Sequence, residues 1–160
     1  MSDSEKMILE KDYIDMIDAL TNENVRFLLV GGFAVGLHGY QRSTKDIDFW
    51  VLASQENAAH LTKALEKFGA PMREFSAKDF EKKGTNFQIG VAPIRIDIIT
   101  EIAGVDFEDA YRNMKIMDVD GHKIPVISIP DLIKNKKNTG RNRDLNDVEH
   151  LEVILKRNNA

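Results

Sequence analysis

The chain has 160 residues, of which 42% are hydrophobic and 30% charged, and a formal net charge of −4. That length suits one domain with a core of its own, and the acidic balance argues against indiscriminate coating of nucleic acid, though not against a local basic groove. Cysteine is absent, which excludes disulfides, thiolate metal sites and a cysteine nucleophile. The first residues show no basic-then-apolar leader pattern, and no apolar run reaches the length of a membrane span, so the expected setting is the cytoplasm without membrane contact.

In chain order, Ile8, Leu9, Tyr13, Ile14, Ile17 and Leu20 fall at helical spacing and predict an opening helix over about 7–20. Residues 25–30 read as a buried strand that Gly31-Gly32 ends, followed by a short helix over 33–38. Residues 46–52 read as a second strand. Ser54 is a suitable N-cap for a helix over 55–68, which Gly69 stops. The charged stretch 71–84 holds a short helix after Ser76 at most. Residues 86–91 and 94–100 read as a strand pair joined at Ala92-Pro93, and 107–114 as a short helix. Asp120-Gly121, a favoured two-residue turn, makes a hairpin of 115–119 and 122–128. Pro130 suits a helix start, giving a helix to about residue 137 that Asn138-Thr139-Gly140 breaks. Leu145, Val148, Leu151 and Leu155 are spaced to bury one face of a last helix over 142–156. With no repeat or linker, this order predicts a single α+β domain over 1–160, a central mixed sheet flanked by helices and completed by C-terminal helices.

The chemistry concentrates in three places. Side chains along a strand alternate faces, so Asp46 and Asp48 project to one side and Ile47, Phe49 and Val51 to the other. Ile94, Ile96 and Ile98 likewise share one face of their strand, with Arg95 and Asp97 on the other. If the two strands are neighbours, Asp46, Asp48 and Asp97 converge, and carboxylates that close repel unless a cation lies among them. Hard cations of the magnesium class take oxygen ligands, so two Mg2+ ions, with Mn2+ as a substitute, suit the set. Gly31 and Gly32 leave room for phosphate oxygens against main-chain N–H groups at a helix start. Transfer of a nucleotide needs these parts: a held triphosphate, metal ligands at Asp46 and Asp48, and a third acid, Asp97, to complete one metal and accept a proton from the attacking group.

The string Val30-Gly31-Gly32-Phe33-Ala34-Val35, then His38-Gly39-Tyr40 and Arg42-Ser43-Thr44-Lys45-Asp46-Ile47-Asp48 with the distal Asp97, resembles the polymerase-beta-type nucleotidyltransferase superfamily. It is similar in particular to minimal bacterial members such as the AbiEii-type toxins of toxin–antitoxin systems. Asp131-Leu132-Ile133, Lys136 and Gly140-Arg141-Asn142-Arg143-Asp144-Leu145-Asn146-Asp147 resemble the second signature of that group. The resemblance implies the nucleotidyltransferase fold and a magnesium-dependent enzyme that moves a nucleoside monophosphate from ATP or another nucleoside triphosphate to an acceptor hydroxyl. It implies Asp46, Asp48 and Asp97 as catalytic metal ligands and Gly31 and Gly32 as the phosphate cradle. Arg42, Thr44, Lys136 and Arg141 follow as nucleotide or acceptor contacts, with Asp144 and Asp147 positioning the basic residues. The implied acceptor is tRNA or another RNA, a protein, or a small molecule such as an antibiotic, and members of the group often act with a cognate partner protein. AbiEii toxins are usually longer than this chain.

Against these readings stand plainer ones. Arg42 suits neutralisation of the carboxylates, Thr44 a loop cap, and the basic run around Lys136 a solvated helix face. His38 reads as a hydrogen-bonding residue rather than a catalyst, and Trp50 as wall packing before a stacking platform. At the level of function, the alternatives are a nucleotide- or partner-binding module with little turnover, or a two-metal hydrolase using the same carboxylates.

Overall fold

A computed structural model describes residues 10–41, 46–90 and 94–159. The elements are α1 (Lys11–Asn22), β1 (Phe27–Val30), α2 (Gly31–His38), β2 (Asp46–Val51), α3 (Gln55–Phe68), a 3-10 turn (Ala77–Glu81), β3 (Asn86–Ile89), β4 (Arg95–Ile99), α4 (Phe107–Arg112), β5 (Lys115–Val119), β6 (His122–Val126), α5 (Ile129–Thr139) and α6 (Asn142–Asn158). Local signals place most boundaries. The Ser54 hydroxyl accepts from the Asn57 N–H, and Gly69 ends α3 in the left-handed conformation. Ser128 caps α5 through the Asp131 N–H, Pro130 stands in its first turn and Gly140 ends it.

Among the described residues, six strands form one sheet in the order β3-β4-β2-β1-β6-β5. Neighbours β2–β4 and β1–β6 run parallel, whereas β1–β2, β3–β4 and β5–β6 run antiparallel, so the sheet is mixed, as expected. Ile47, Phe49 and Val51 are fully buried on one face of β2, with Phe49 edge-on to Phe27. Helices α1 and α3 pack together, as do α5 and α6, and α2 touches β1, β2, α5 and α6. That central place of α2 fixes its first turn beside β2.

Two details differ from the pattern in the sequence. Gly31 and Gly32 are not a turn ahead of a helix; they are its first two residues, with Gly31 at φ +72°. In α6 the inward face is Asp144, Asp147, Val148 and Leu151, while Leu145 is 45% exposed. The physical reason is Lys136, buried on α5: its ammonium needs carboxylates, and the rotation of α6 that supplies Asp144 and Asp147 turns Leu145 outward.

Candidate active site

Register builds the site. In the parallel pair β2–β4, Asp46 lies opposite Arg95 and Asp48 opposite Asp97, and in the antiparallel pair β1–β2, Val30 lies opposite Asp48. The strands carrying the three carboxylates are therefore neighbours, and the glycines that follow Val30 begin beside Asp48. Asp97 is 5% exposed, so it is a buried acid and not a solvated strand residue. Its Oδ1 has no hydrogen-bond partner.

Burial pushes the Asp48 carboxyl up to about 7, helped by a hydrogen bond with Asp97 and by the negative charges of Asp97 and Asp46, with Arg95 opposing. Among the described residues, Arg95 brings positive charge to Asp46 and Asp97. Its Nη2 lies 3.5 Å from Asp46 Oδ2 and 3.6 Å from Asp97 Oδ2, and its buried Nε has no hydrogen-bond partner. Tyr13 of α1 stands over this end of β4: burial raises its hydroxyl pKa, the Arg95 main chain hydrogen-bonds it, and Asp46 adds to the rise.

Glycine at 31 is required twice over. Its φ is left-handed, and a Cβ there would lie 2.2 Å from Asp48 Oδ2. Val30, the N-cap of α2, contributes no side-chain cap, so the first-turn N–H groups of α2, at the helix end beside Asp48, have no side-chain acceptor from that position. An anion suits them.

The second predicted cluster is of another kind. Lys136 Nζ is 3.1 Å from Asp144 Oδ1 and 2.9 Å from Asp147 Oδ2, and its side chain is 7% exposed. Thr139 Oγ1 and Arg141 Nε donate to Asp144 Oδ2 at 2.6 and 2.7 Å. Burial alone would raise the Asp144 carboxyl; the donations from Thr139, Arg141 and Lys136 outweigh it and hold the group at about 2. Lys136 is thereby committed to joining α5 to α6, while Arg141, with 65% of its side chain exposed, keeps donors for a ligand. Asp144 and Asp147 both pair with Lys136, and Asp144 also with Arg141. Arg42 and Thr44 lie outside the described residues. His38 Nε2 is 2.7 Å from the Ile127 carbonyl, and burial lowers its pKa, so it is a neutral donor in the packing. Trp50 is buried edge-on to Phe107.

The carboxylates are all-oxygen donors, and the orphaned Asp97 Oδ1 is a buried acceptor suited to a hard cation. Yet among the described residues no three acidic, His or Cys side chains already form a group that would hold a metal ion. Arg95 accounts for this: Asp46 and Asp97 both face its guanidinium. Sequence reasoning placed Arg95 on the carboxylate face but gave it no role; its position two residues before Asp97 was the available signal.

A family profile described as "Nucleotidyltransferase of unknown function (DUF6036)" matches residues 10–158. Among solved structures, the chain is similar to a lincosamide antibiotic adenylyltransferase, LnuA, in its lincomycin-bound form, at 19% identity and a TM-score of 0.61, over 93% of this chain and 99% of that one. It is also similar to ANT(2'')-Ia in complex with adenylyl-2''-tobramycin, at 14% identity and a TM-score of 0.54, over 88% and 91% of the two chains. An antigenic nucleotidyltransferase-like protein from Paracoccidioides brasiliensis matches at 16% identity and a TM-score of 0.55, over 88% of this chain and 74% of that one. No curated protein sequence matches. The likenesses establish the nucleotidyltransferase fold. No described helix is long and apolar enough to cross a membrane.

Proposed function

The chain belongs to the nucleotidyltransferase family whose profile spans residues 10–158, and on that premise we propose that it transfers a nucleoside monophosphate from a nucleoside triphosphate to an acceptor hydroxyl. The observation that carries this reading is the pairing of half-buried Asp48 with buried Asp97 on adjoining parallel strands, beside the Gly31 opening of α2. Carboxylates so placed are costly for the fold alone. Their cost is understandable where a divalent cation is bound together with a phosphate-bearing ligand.

In the reaction, the acceptor oxygen attacks the α-phosphorus, a new P–O bond forms, and the bond to the β-phosphate oxygen breaks to release pyrophosphate. Divalent magnesium, held by Asp46, Asp48 and Asp97, would supply charge neutralisation on the attacking and leaving oxygens. The chain's own residues do the remainder. First-turn N–H groups of α2 take phosphate oxygens, and the missing side chain of Gly31 leaves them room. Asp97 takes the proton of the attacking hydroxyl through its orphaned oxygen. Arg141 offers its exposed guanidinium to phosphate or acceptor. The rate gain comes mostly from positioning and charge.

Two acceptor classes have support. Two of the similar structures are a lincomycin-bound form and a complex with adenylyl-2''-tobramycin, which favours a hydroxyl-bearing small molecule. The motif resemblance to AbiEii-type toxins favours RNA or a protein, with a cognate partner. Triphosphates labelled at the α-phosphate, incubated with Mg2+, the protein and, separately, RNA, protein and small-molecule fractions, distinguish them. Label entering one fraction names the acceptor class. Label entering none, with triphosphate still bound, contradicts transfer and leaves a binding module; triphosphate hydrolysed without a labelled product indicates a hydrolase.

A further inference from the structure

We infer that Arg95 is a built-in counter-ion that closes the carboxylate site in the metal-free protein and is exchanged for the divalent cation when the site loads. This rests on the proposed metal-dependent reading of the same site, and concerns how the site is kept closed beforehand.

Three observations converge. One guanidinium nitrogen, Nη2, is within 3.6 Å of carboxylate oxygens on two strands, Asp46 on β2 and Asp97 on β4. The pairing is incomplete on both sides: Arg95 Nε and Asp97 Oδ1 are buried with no hydrogen-bond partner. A pair built for stability alone would use its forked donors against both oxygens of a carboxylate; an unsatisfied pair is poised for exchange. Finally, among the described residues the three carboxylates do not form a group that would hold a metal ion, although register puts Asp48 against Asp97 and Asp46 one pleat away.

Charge explains the exchange. Asp46, Asp48 and Asp97 carry up to three negative charges, and Arg95 lies against two of them, Asp46 and Asp97. A divalent cation entering among the carboxylates is like-charged with Arg95, so the two cannot hold the same oxygens cheaply. Arg95 must leave those oxygens, and its charge then opposes that of the cation but attracts the triphosphate. Cation and nucleotide consequently load together more readily than the cation does alone. Arg95 is a positioning residue, acting through the acids and not on the reacting atoms.

The test uses Mn2+ as probe, with binding followed by electron paramagnetic resonance and stability by thermal unfolding, on wild type, Arg95→Gln and Arg95→Lys, all without nucleotide. Arg95→Gln should bind Mn2+ about tenfold more tightly than wild type, and Arg95→Lys, which restores the charge, should return toward wild type. In metal-free buffer Arg95→Gln should unfold at lower temperature than wild type, and saturating Mn2+ should remove that difference. Unchanged or weaker Mn2+ binding in Arg95→Gln overturns the inference. So does an unfolding deficit that persists equally with Mn2+, since Arg95 would then be structural, and so does absence of Mn2+ binding in all three proteins. Mn2+ binding that follows the expected order, without nucleotide transfer to any acceptor, upholds the exchange and counts only against the proposed reaction.

Discussion

Gly31 and Asp48 occupy one space: the Asp48 Oδ2 atom sits 2.2 Å from where a Cβ on residue 31 would be, and Gly31 has a φ of +72°. The end of β1 and the second acid of β2 are thus fitted to each other through the absence of a side chain. Gly31→Ala should cost about 1–3 kcal/mol from the backbone strain alone, read by chemical denaturation. Displacement of Asp48 should lower transfer by about a hundredfold, because small misplacements of a catalytic group have effects of that order.

Removing charge from the acid pair should separate stability from activity. Asp97→Asn keeps the shape but ends the like-charge conflict with Asp48, so the metal-free protein should gain about 1 kcal/mol at pH 8. The same change should reduce transfer by about a thousandfold, through loss of the proton acceptor and of charge at the reacting phosphate. A variant both less stable and less active would make Asp97 a structural residue.

The raised Asp48 pKa has a definite sign in the pH profile. A carboxyl moved from 3.8 to about 7 on folding means the folded state holds a proton that the unfolded chain has already released between those values. Its stabilising contribution is full below pH 3.8 and is lost as pH rises through about 7. His38, whose pKa burial lowers, tilts the profile the other way, so the readout is the difference between wild type and Asp48→Asn. In metal-free buffer wild type should fall relative to Asp48→Asn from pH 5 to pH 8, and Mg2+ should restore it if the acids bind the ion.

Lys136 and Arg141 should behave differently although they share Asp144. Lys136→Ala strips both carboxylates of their buried cation and should destabilise by about 3 kcal/mol, seen as a large shift in the denaturation midpoint. Arg141→Ala removes an exposed partner and should cost under about 1 kcal/mol, with its main effect a raised KM for the triphosphate or acceptor. The Asp144 carboxyl, held at about 2 against 3.8, adds stability that is present above pH 3.8 and lost only as pH falls through about 2, so it leaves the profile between pH 5 and pH 8 flat.

Much of this site was legible before any coordinates, for a physical reason. Alternation along β2 and β4 is strict, so Asp46-Ile47-Asp48 and Ile96-Asp97-Ile98 disclosed which side chains share a face; only the adjacency of the strands had to be supplied by the fold. Caps and turns were equally local: Ser54 and Gly69 bound α3, and Asp120-Gly121 joins β5 to β6. What escaped depended on partners distant in sequence. Periodicity assigned Leu145 to the inner face of α6, but Lys136, buried eight residues earlier than Asp144, turned Asp144 and Asp147 inward instead. Arg95 was visible beside Asp97, yet its ion pair with Asp46 arises from the β2–β4 register and from no signal within either strand. The glycines, expected to precede α2, begin it because the helix starts directly from Val30.

The most direct measurement follows transfer of an α-labelled nucleoside monophosphate from triphosphate to acceptor by wild type and Asp48→Asn, with Mg2+ and with chelator. Labelled acceptor and free pyrophosphate should form in equal amounts with wild type and Mg2+, and both should vanish with Asp48→Asn or with chelator. Transfer that persists in Asp48→Asn, or that is indifferent to chelator, would contradict a nucleotidyltransferase centred on the Asp48–Asp97 pair.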